Sequence, residues 1–376
     1  MATYRKSKIK FLIFSLLPTA LLLFSAEVVV RIAGLGKPNL IALPLPEEIA
    51  GISRADDDLF WSLRPNVQVW HQDALVTINN QATRGPEIEP KRADEFRILS
   101  LGESTTFGHG VGDLETYTSL LPPLLAQEVN SRSFTAINAG TSTWSSFQSL
   151  KYLELRGLRF QPDLVLFYHE LNDYLPSSLR DSGGNEIGVL QTDKELYDSH
   201  TQTTHRKLLQ YSALYRCLAY HFAYERIEQF NQDDFRNPMQ DIGLQNLAFP
   251  GRLIRPEDPQ KSAGLNERSL GQRVTEEERL ENFHELQSLC AENHIQLIVI
   301  HPSYRTTTRH PCVLTQFCEE NNVLMFDAHD SLHPEGAPPG ALFLDAMHPN
   351  RQGHLGLGKD LARFIVQHLF GRAPME

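Results

Sequence analysis

In the stretch Arg97 to Gly110, RILSLGESTTFGHG, an apolar run stops at a glycine, an acid and a serine. A nucleophilic Ser104 would need a base within hydrogen-bond reach and a third group to orient that base. The chain has 15 histidines, so spacing rather than presence must choose among them. Asp345-Ala-Met-His348 sets a carboxylate three residues before an imidazole, and a short turn can hold Asp345 against one ring nitrogen while His348 presents the other. Asp330-Ser-Leu-His333 repeats that spacing. His348 runs straight into a helix start, HPNR, which fixes its loop, whereas His333 precedes EGAPPG with little to hold it. Asp345 and His348 are therefore preferred. Acyl transfer also needs N–H donors aimed at a developing oxyanion. The candidates are the backbone of Gly140 in NAG and the side-chain amide of Asn172 in ELND, each of which taken singly reads better as a turn residue.

The elements around these residues place them together. Arg97–Leu101 is short and apolar enough for a strand, followed by turn and helix-start residues. Phe134–Ile137 is a second strand and ends in NAGTSTWSS; Asp163–Tyr168, nearly all apolar, reads as a central parallel strand and ends in HELND. Gln296–Ile300 and Val323–Phe326 are two more, and Gln352–Leu369 is a final amphipathic helix. Between them fall a helix from Leu114 to Val129, with a break or kink expected at Pro122 and Pro123, and an amphipathic stretch from Phe147 to Leu158. Thr275 and Glu278 make a capping box for a further helix. Five strands alternating with helices predict an α/β fold, a doubly wound and mainly parallel five-stranded sheet with helices on both faces. Ser104, Gly140 and Asn172 then lie at the carboxyl ends of three successive strands, where open α/β sheets put their ligands.

The ordered set GES, NAG, ELND and DAMH resembles the SGNH hydrolases, also called the GDSL esterase and lipase superfamily. The similarity covers Arg97–Leu175 and about Gln296–Leu369. It implies Ser104 as nucleophile, His348 as base, Asp345 as its orienter, and an oxyanion hole from the backbone N–H of Ser104 with Gly140 and Asn172. Glu103 stands where the family usually has aspartate, and Glu170 where the third block usually has glycine. Those two acids also admit a rival reading, the acid and base of a glycosidase, which leaves Ser104, Asn172 and His348 unexplained together.

The remaining sequence bounds the setting. At 376 residues with 41% hydrophobic and 22% charged, the chain can bury a large core. A net charge of −11 argues against a nucleic-acid partner. No C-x-x-C occurs among Cys217, Cys290, Cys312 and Cys318, and the expected chemistry calls for no metal or other cofactor. Cys312 and Cys318 are close enough to pair in an oxidising compartment, and free thiols are the equal alternative. Arg5, Lys6, Lys8 and Lys10 precede an apolar run from Phe11 to Ala26, which predicts an uncleaved transmembrane anchor, residues 1–35, with the rest of the chain on the extracytoplasmic side. Glu27 is then expected at the far interface. Residues 36–96 read as a proline-rich tether at Gly36–Pro46 and a small β addition of two or three strands within Asp58–Glu89 bearing Trp61 and Trp70, and 97–372 as the hydrolase-like domain. That domain carries an insertion, 176–274, with an aromatic-rich helix at Leu208–Phe230 and a loop-like 231–271. The expectation is a membrane-anchored serine esterase acting on a small ester or acylated carbohydrate, with O-acetyl groups of envelope polysaccharide as one such substrate. An O-acyltransferase with the same triad and a non-catalytic glycan-binding surface protein are the alternatives.

Overall fold

The computed structural model describes residues 2–35, 51–56, 58–71, 74–175, 178–180, 186–189, 191–201, 203–222, 272–306, 309 and 313–371. At its centre β5 (Glu95–Gly102), β6 (Ser133–Asn138), β7 (Leu164–Tyr168), β10 (Gln296–His301) and β11 (Leu324–Asp327) form one sheet in the order β11-β10-β7-β5-β6. All four pairings are parallel, as expected. The side-chain period of two splits the sheet's residues between two cores. Ile98, Leu164, Leu166, Ile298 and Ile300 face α3 (Tyr117–Glu128) and α11 (Arg351–Leu369), while Leu99, Leu101, Val165, Phe167 and Val299 face the other side. There they meet α4 (Ser146–Tyr152), α8 (Glu276–Glu292) and α9 (Val313–Asn321). Each such side chain, fully buried, contributes roughly 1.5–3 kcal/mol. The chain leaves β5 for β6 on one side and returns to β7 on the other, so the carboxyl end of β5 is the switch point of the sheet.

Several local outcomes differ from the sequence reading. Helix α3 runs unbroken through Pro122 and Pro123, because Thr116 caps it and Tyr117, Leu121 and Leu125 are fully buried along one face. The stretch expected to be helical to Leu158 stops at Tyr152 and widens into a π-turn at Leu153–Gly157, which seats Leu153 and Phe160 in the core. The capping box forms as expected, with the Glu278 N–H donating to Thr275 Oγ1 (3.1 Å) and the Thr275 N–H to Glu278 Oε2 (3.0 Å).

The stretch 58–89 holds three strands, as expected, and a fourth precedes it; they pair antiparallel as β1 (Ser53–Asp56) with β2 (Phe60–Leu63) and β3 (Val67–His71) with β4 (Ala74–Ile78). Trp61 is buried and its backbone carbonyl accepts from Trp144 Nε1 (3.0 Å), whereas Trp70 is exposed. Arg84 bridges Ile78 and Asn138, which continues the main sheet beyond β6 into the β3–β4 hairpin.

Within the insertion lie β8 (Ser178–Arg180), β9 (Glu186–Gly188), α5 (Asp193–Thr201), α6 (Thr203–Tyr211) and α7 (Ala213–Phe222). The single helix expected from Leu208 breaks at Ser212, whose hydroxyl accepts the Tyr215 N–H (3.0 Å) and so starts α7. Residues 223–230 of that expected helix and the loop-like 231–271 lie outside the described residues, as does the tether 36–50. Two short helices complete the set, α2 (Ser104–Phe107) and α10 (His329–Leu332).

Helix α1 spans Ala2–Ile32. Its described side chains begin at Phe14, so the first part of the expected anchor lies outside them. Among the described residues no helix is long and apolar enough to cross a membrane. The α1 side chains from Phe14 to Ile32 are mostly exposed and apolar. Glu27, the carboxylate interrupting the apolar run, accepts the backbone N–H groups of Ala213 and Leu214 and the Ser212 hydroxyl, all at 2.8–2.9 Å. It therefore supplies acceptors for the otherwise unpaired N–H groups that open α7. Cys217, Cys290 and Cys318 are free thiols, which leaves Cys318 unpaired; Cys312 lies outside the described residues.

Candidate active site

Ser104 is the first residue of α2, separated from the end of β5 by Glu103 alone, and His348 and Asp345 sit in the turn that precedes α11. Asn350 builds that turn by capping α11, its side chain accepting from the N–H groups of Gln352 and Gly353. Asp345 Oδ1 accepts the N–H groups of Met347 (2.7 Å) and His348 (2.8 Å), which folds the carboxylate back on its own loop. Its Oδ2 lies 2.7 Å from His348 Nδ1, and His348 Nε2 lies 2.8 Å from Ser104 Oγ. Burial works to raise the Asp345 carboxyl, but the hydrogen bond and charge of His348, with the two backbone N–H groups, outweigh it and hold the carboxyl well below the usual carboxylate range. A permanently ionised acceptor at Nδ1 keeps the ring proton there and leaves the Nε2 lone pair facing the hydroxyl.

His348 is thus brought to Ser104, and His333 is engaged elsewhere. His333 Nε2 lies 2.8 Å from the backbone oxygen of Tyr304, and Asp330 is bound to Arg309 (2.6 Å).

Gly140 and Asn172 fall at the same rim. The Thr141 N–H donates to Gly102 O (3.0 Å), tying the loop after β6 to the end of β5. A Cβ at Gly140 would come within 2.4 Å of the Phe107 backbone nitrogen and 2.7 Å of the Thr106 carbonyl carbon, so only glycine lets this loop close on α2. The Gly140 N–H donates to Asn138 Oδ1 (3.0 Å) and is thus engaged within its own turn. The buried Asn172 donates through Nδ2 to Trp144 O (3.0 Å), which orients the amide, and its backbone N–H reaches Glu103 Oε2 (3.4 Å).

Glu103 and Glu170 are only 4% and 3% exposed, too enclosed to act as the acid and base on a sugar. Burial, followed by the charge of Asp173, pushes Glu103 up to about 8, so it is neutral at pH 7. Glu170 accepts the Tyr304 hydroxyl (3.2 Å).

Four residues important to this rim escaped the sequence reading. Arg273 is fully buried against Asp193 (2.7 Å) and also donates to Thr143 O and to Gln148 Oε1. Asp193 Oδ2 in turn takes the Ser145 hydroxyl at 2.7 Å, so the insertion grips the loop after β6. Arg279 pairs with Asp173 (3.0 Å), and Asp173 Oδ1 accepts the Ser146 N–H (2.7 Å), joining the loops after β6 and β7. Turn and strand preferences carry no signal for pairs 80 and 106 residues apart. His109, the single side chain between Gly108 and Gly110, had one: a histidine isolated between glycines just after the candidate serine. Its ring lies 4.2 Å from that of His348, centroid to centroid. His109, Asp345 and His348 have ligand atoms within 4.8 Å of one another, the group among the described residues close enough to hold a metal ion. Two of its members already spend their facing atoms on each other.

No protein-family model matches the chain, and no curated protein is similar to it in sequence. Among solved structures it is similar to an α/β-hydrolase enzyme from the metagenome of Lake Arreo, Spain, with 14% identity, coverage of 72% of this chain and 94% of that one, and a TM-score of 0.40. An acetylxylan esterase from Geobacillus stearothermophilus shares 14% identity over 74% of this chain and 95% of that one, at a TM-score of 0.39. A two-domain esterase active on acetylated mannans shares 13% identity over 75% of this chain and 52% of that one, at a TM-score of 0.42. The parallel order β11-β10-β7-β5-β6 is that of the doubly wound α/β fold expected from the sequence, and the Ser104–His348–Asp345 hydrogen-bond chain lies at its carboxyl rim.

Proposed function

We propose that the chain is a serine esterase in which Ser104, His348 and Asp345 form the catalytic triad. The observation that carries this reading is the unbroken pair of hydrogen bonds from Ser104 Oγ to His348 Nε2 (2.8 Å) and from His348 Nδ1 to Asp345 Oδ2 (2.7 Å). Ser104 Oγ attacks the ester carbonyl carbon while its proton passes to His348 Nε2, and the Asp345 carboxylate stabilises the imidazolium so formed. The oxyanion is received by the Ser104 N–H and the Asn172 amide, whose second hydrogen remains after one is given to Trp144 O. The Gly140 N–H joins them only by letting go of Asn138 Oδ1. His348 then protonates the departing alcohol, leaving acyl-Ser104. Water, deprotonated by the same imidazole, releases the acid.

The substrate in this reading is a small ester such as an O-acetyl group on an envelope polysaccharide, met outside the cytoplasm. Export and anchoring through α1 are supported by the four cations at positions 5, 6, 8 and 10 and by exposed apolar side chains on opposite sides of the helix, Phe14 and Leu21 on one and Leu16 and Leu23 on the other. A helix apolar all round needs an apolar medium.

A fluorophosphonate probe tests the chemistry. Labelling of the wild-type chain that disappears in Ser104→Ala is expected, and equal labelling of both, or none of either, ends the esterase reading. A fluorogenic acetyl ester offered with and without an oligosaccharide separates hydrolysis from transfer: acylated sugar forming faster than free acid would replace the hydrolase by a transferase.

A further inference from the structure

The triad does not use the amino-terminal β addition, yet that addition reaches the catalytic base. His71, the last residue of β3, puts Nε2 3.3 Å from Nδ1 of His109. The His109 ring in turn lies against the His348 ring, 4.2 Å between centroids with 33° between planes. The loop carrying His109 is held from the same addition. Arg84, 4% exposed, donates Nη1 to the carbonyls of Phe107 and Gly108 (both 2.6 Å) and Nη2 to that of Val111, and its Nε pairs with Asp113 (3.0 Å). Asp113 also accepts the Thr77 N–H of β4 (3.0 Å). Gly108 at φ +92° makes the turn, and a Cβ there would meet Thr116 Cγ2 at 2.5 Å and Arg84 Nη1 at 2.8 Å. Every peptide carbonyl around His109 that Arg84 binds is thus pinned, and the imidazole has one place to go.

We infer that His109 is a positioning residue for the catalytic base: tethered by His71, its ring covers one face of the His348 imidazole and keeps Nε2 aimed at Ser104. This inference rests on the esterase reading. The Asp345 carboxylate fixes only one atom of the His348 ring, Nδ1, and a ring held at one point can tilt about it. A second aromatic plane packed on its face removes that freedom, and a tilt of a fraction of an ångström at Nε2 is enough to weaken proton transfer. The neighbour is suited to the moment when His348 carries charge. Burial, and then the proximity of His348 and His71, push His109 down to about 3, so it remains a neutral ring whose π face tolerates an imidazolium. The four-strand addition is thereby part of the active site rather than packing beside it.

The test measures ester turnover in the full chain for His109→Ala, His109→Phe, His71→Ala and the double variant His71→Ala/His109→Ala. His109→Ala is expected to lose between about tenfold and a hundredfold in kcat with KM changed less than about twofold, since substrate contacts are not removed. His109→Phe, which restores a planar face, is expected to recover most of that loss. His71→Ala should cost less than His109→Ala, and the double variant should be no slower than His109→Ala alone, because His71 acts through His109. A His109→Ala enzyme within twofold of wild-type kcat, or single effects that multiply in the double variant, overturns the inference. If His109→Ala does not fold, His71→Ala and His109→Phe decide by the same criteria. A second readout is independent of turnover: the downfield NMR resonance of the proton between His348 Nδ1 and Asp345. It should persist in wild type and His109→Phe and broaden away in His109→Ala. Should wild type show neither turnover nor Ser104 labelling, the esterase reading falls while this resonance still judges the brace, and its unchanged presence in His109→Ala overturns it.

Discussion

Replacing Asp345 by asparagine separates geometry from charge. The carboxylate uses both oxygens: Oδ1 takes two backbone N–H groups at 2.7 and 2.8 Å, and Oδ2 takes His348 Nδ1 at 2.7 Å. In Asp345→Asn the amide oxygen is drawn to the site with two donors, which turns the NH2 toward Nδ1. His348 then moves its proton to Nε2, where it faces Ser104 Oγ and can accept nothing. Returning to the working tautomer sets one donor against another. It loses a charge-assisted hydrogen bond worth about 1.5–3 kcal/mol and strands a donor at a further ~1–3 kcal/mol. The sum, about 2.5–6 kcal/mol, corresponds to roughly two to four orders of magnitude in rate at about 1.4 kcal/mol per decade. The assay is kcat/KM on a fluorogenic acetyl ester, paired with the rate of fluorophosphonate labelling and with thermal unfolding to show that the fold is retained. A folded Asp345→Asn enzyme within tenfold of wild type would refute the tautomer argument and, with it, the role given to Asp345.

Asn172→Ala should leave the acyl-enzyme reachable but slow turnover about a hundredfold to a thousandfold, the usual loss for one oxyanion donor; steady-state kcat measures it. Arg273→Met should cost on the order of 3–5 kcal/mol in urea unfolding, because it leaves Asp193 buried and uncompensated, whereas Arg273→Met with Asp193→Leu should recover much of that loss. Burial of neutral imidazoles sets an acid limit on stability. His109 and His354 are pushed down to about 3 and His169 to about 4, mainly by burial, from an ordinary value of 6.5. A depressed folded-state value means stability that is complete above about 6.5 and lost as pH falls toward 3, so urea midpoints should decline through that window. Glu103 acts at the other end. Its folded-state value is raised to about 8, so its neutral form favours the fold below 4.5 and that advantage fades as pH rises through 8. Glu103→Gln should flatten the alkaline decline in midpoint.

How much of this was legible from residues alone can be traced position by position. The five strands were readable because a parallel strand covered on both faces must be nearly continuous in apolar residues, as in Leu164–Tyr168. The juxtaposition of Asp345 and His348 was readable because their loop carries local turn chemistry: the i, i+3 acid and histidine, and the Asn350 cap behind them. The path through Pro122 and Pro123 was not, since local preference argues for a kink and only the packing of Leu121 and Leu125 on the sheet overrides it.

Residue order alone carries the strand–helix alternation, the succession of the chemical blocks and the pairing of Asp345 with His348, because each depends on neighbours within a few residues. Only the folded chain buries Glu103 and Glu170, locks the insertion to the loop after β6 through Arg273 and Asp193, and brings His71 to His109 beside His348. The difference is one of range. Turn and strand preferences are written in adjacent residues, whereas desolvation, buried ion pairing and ring packing exist only once segments tens to hundreds of residues apart exclude water between them.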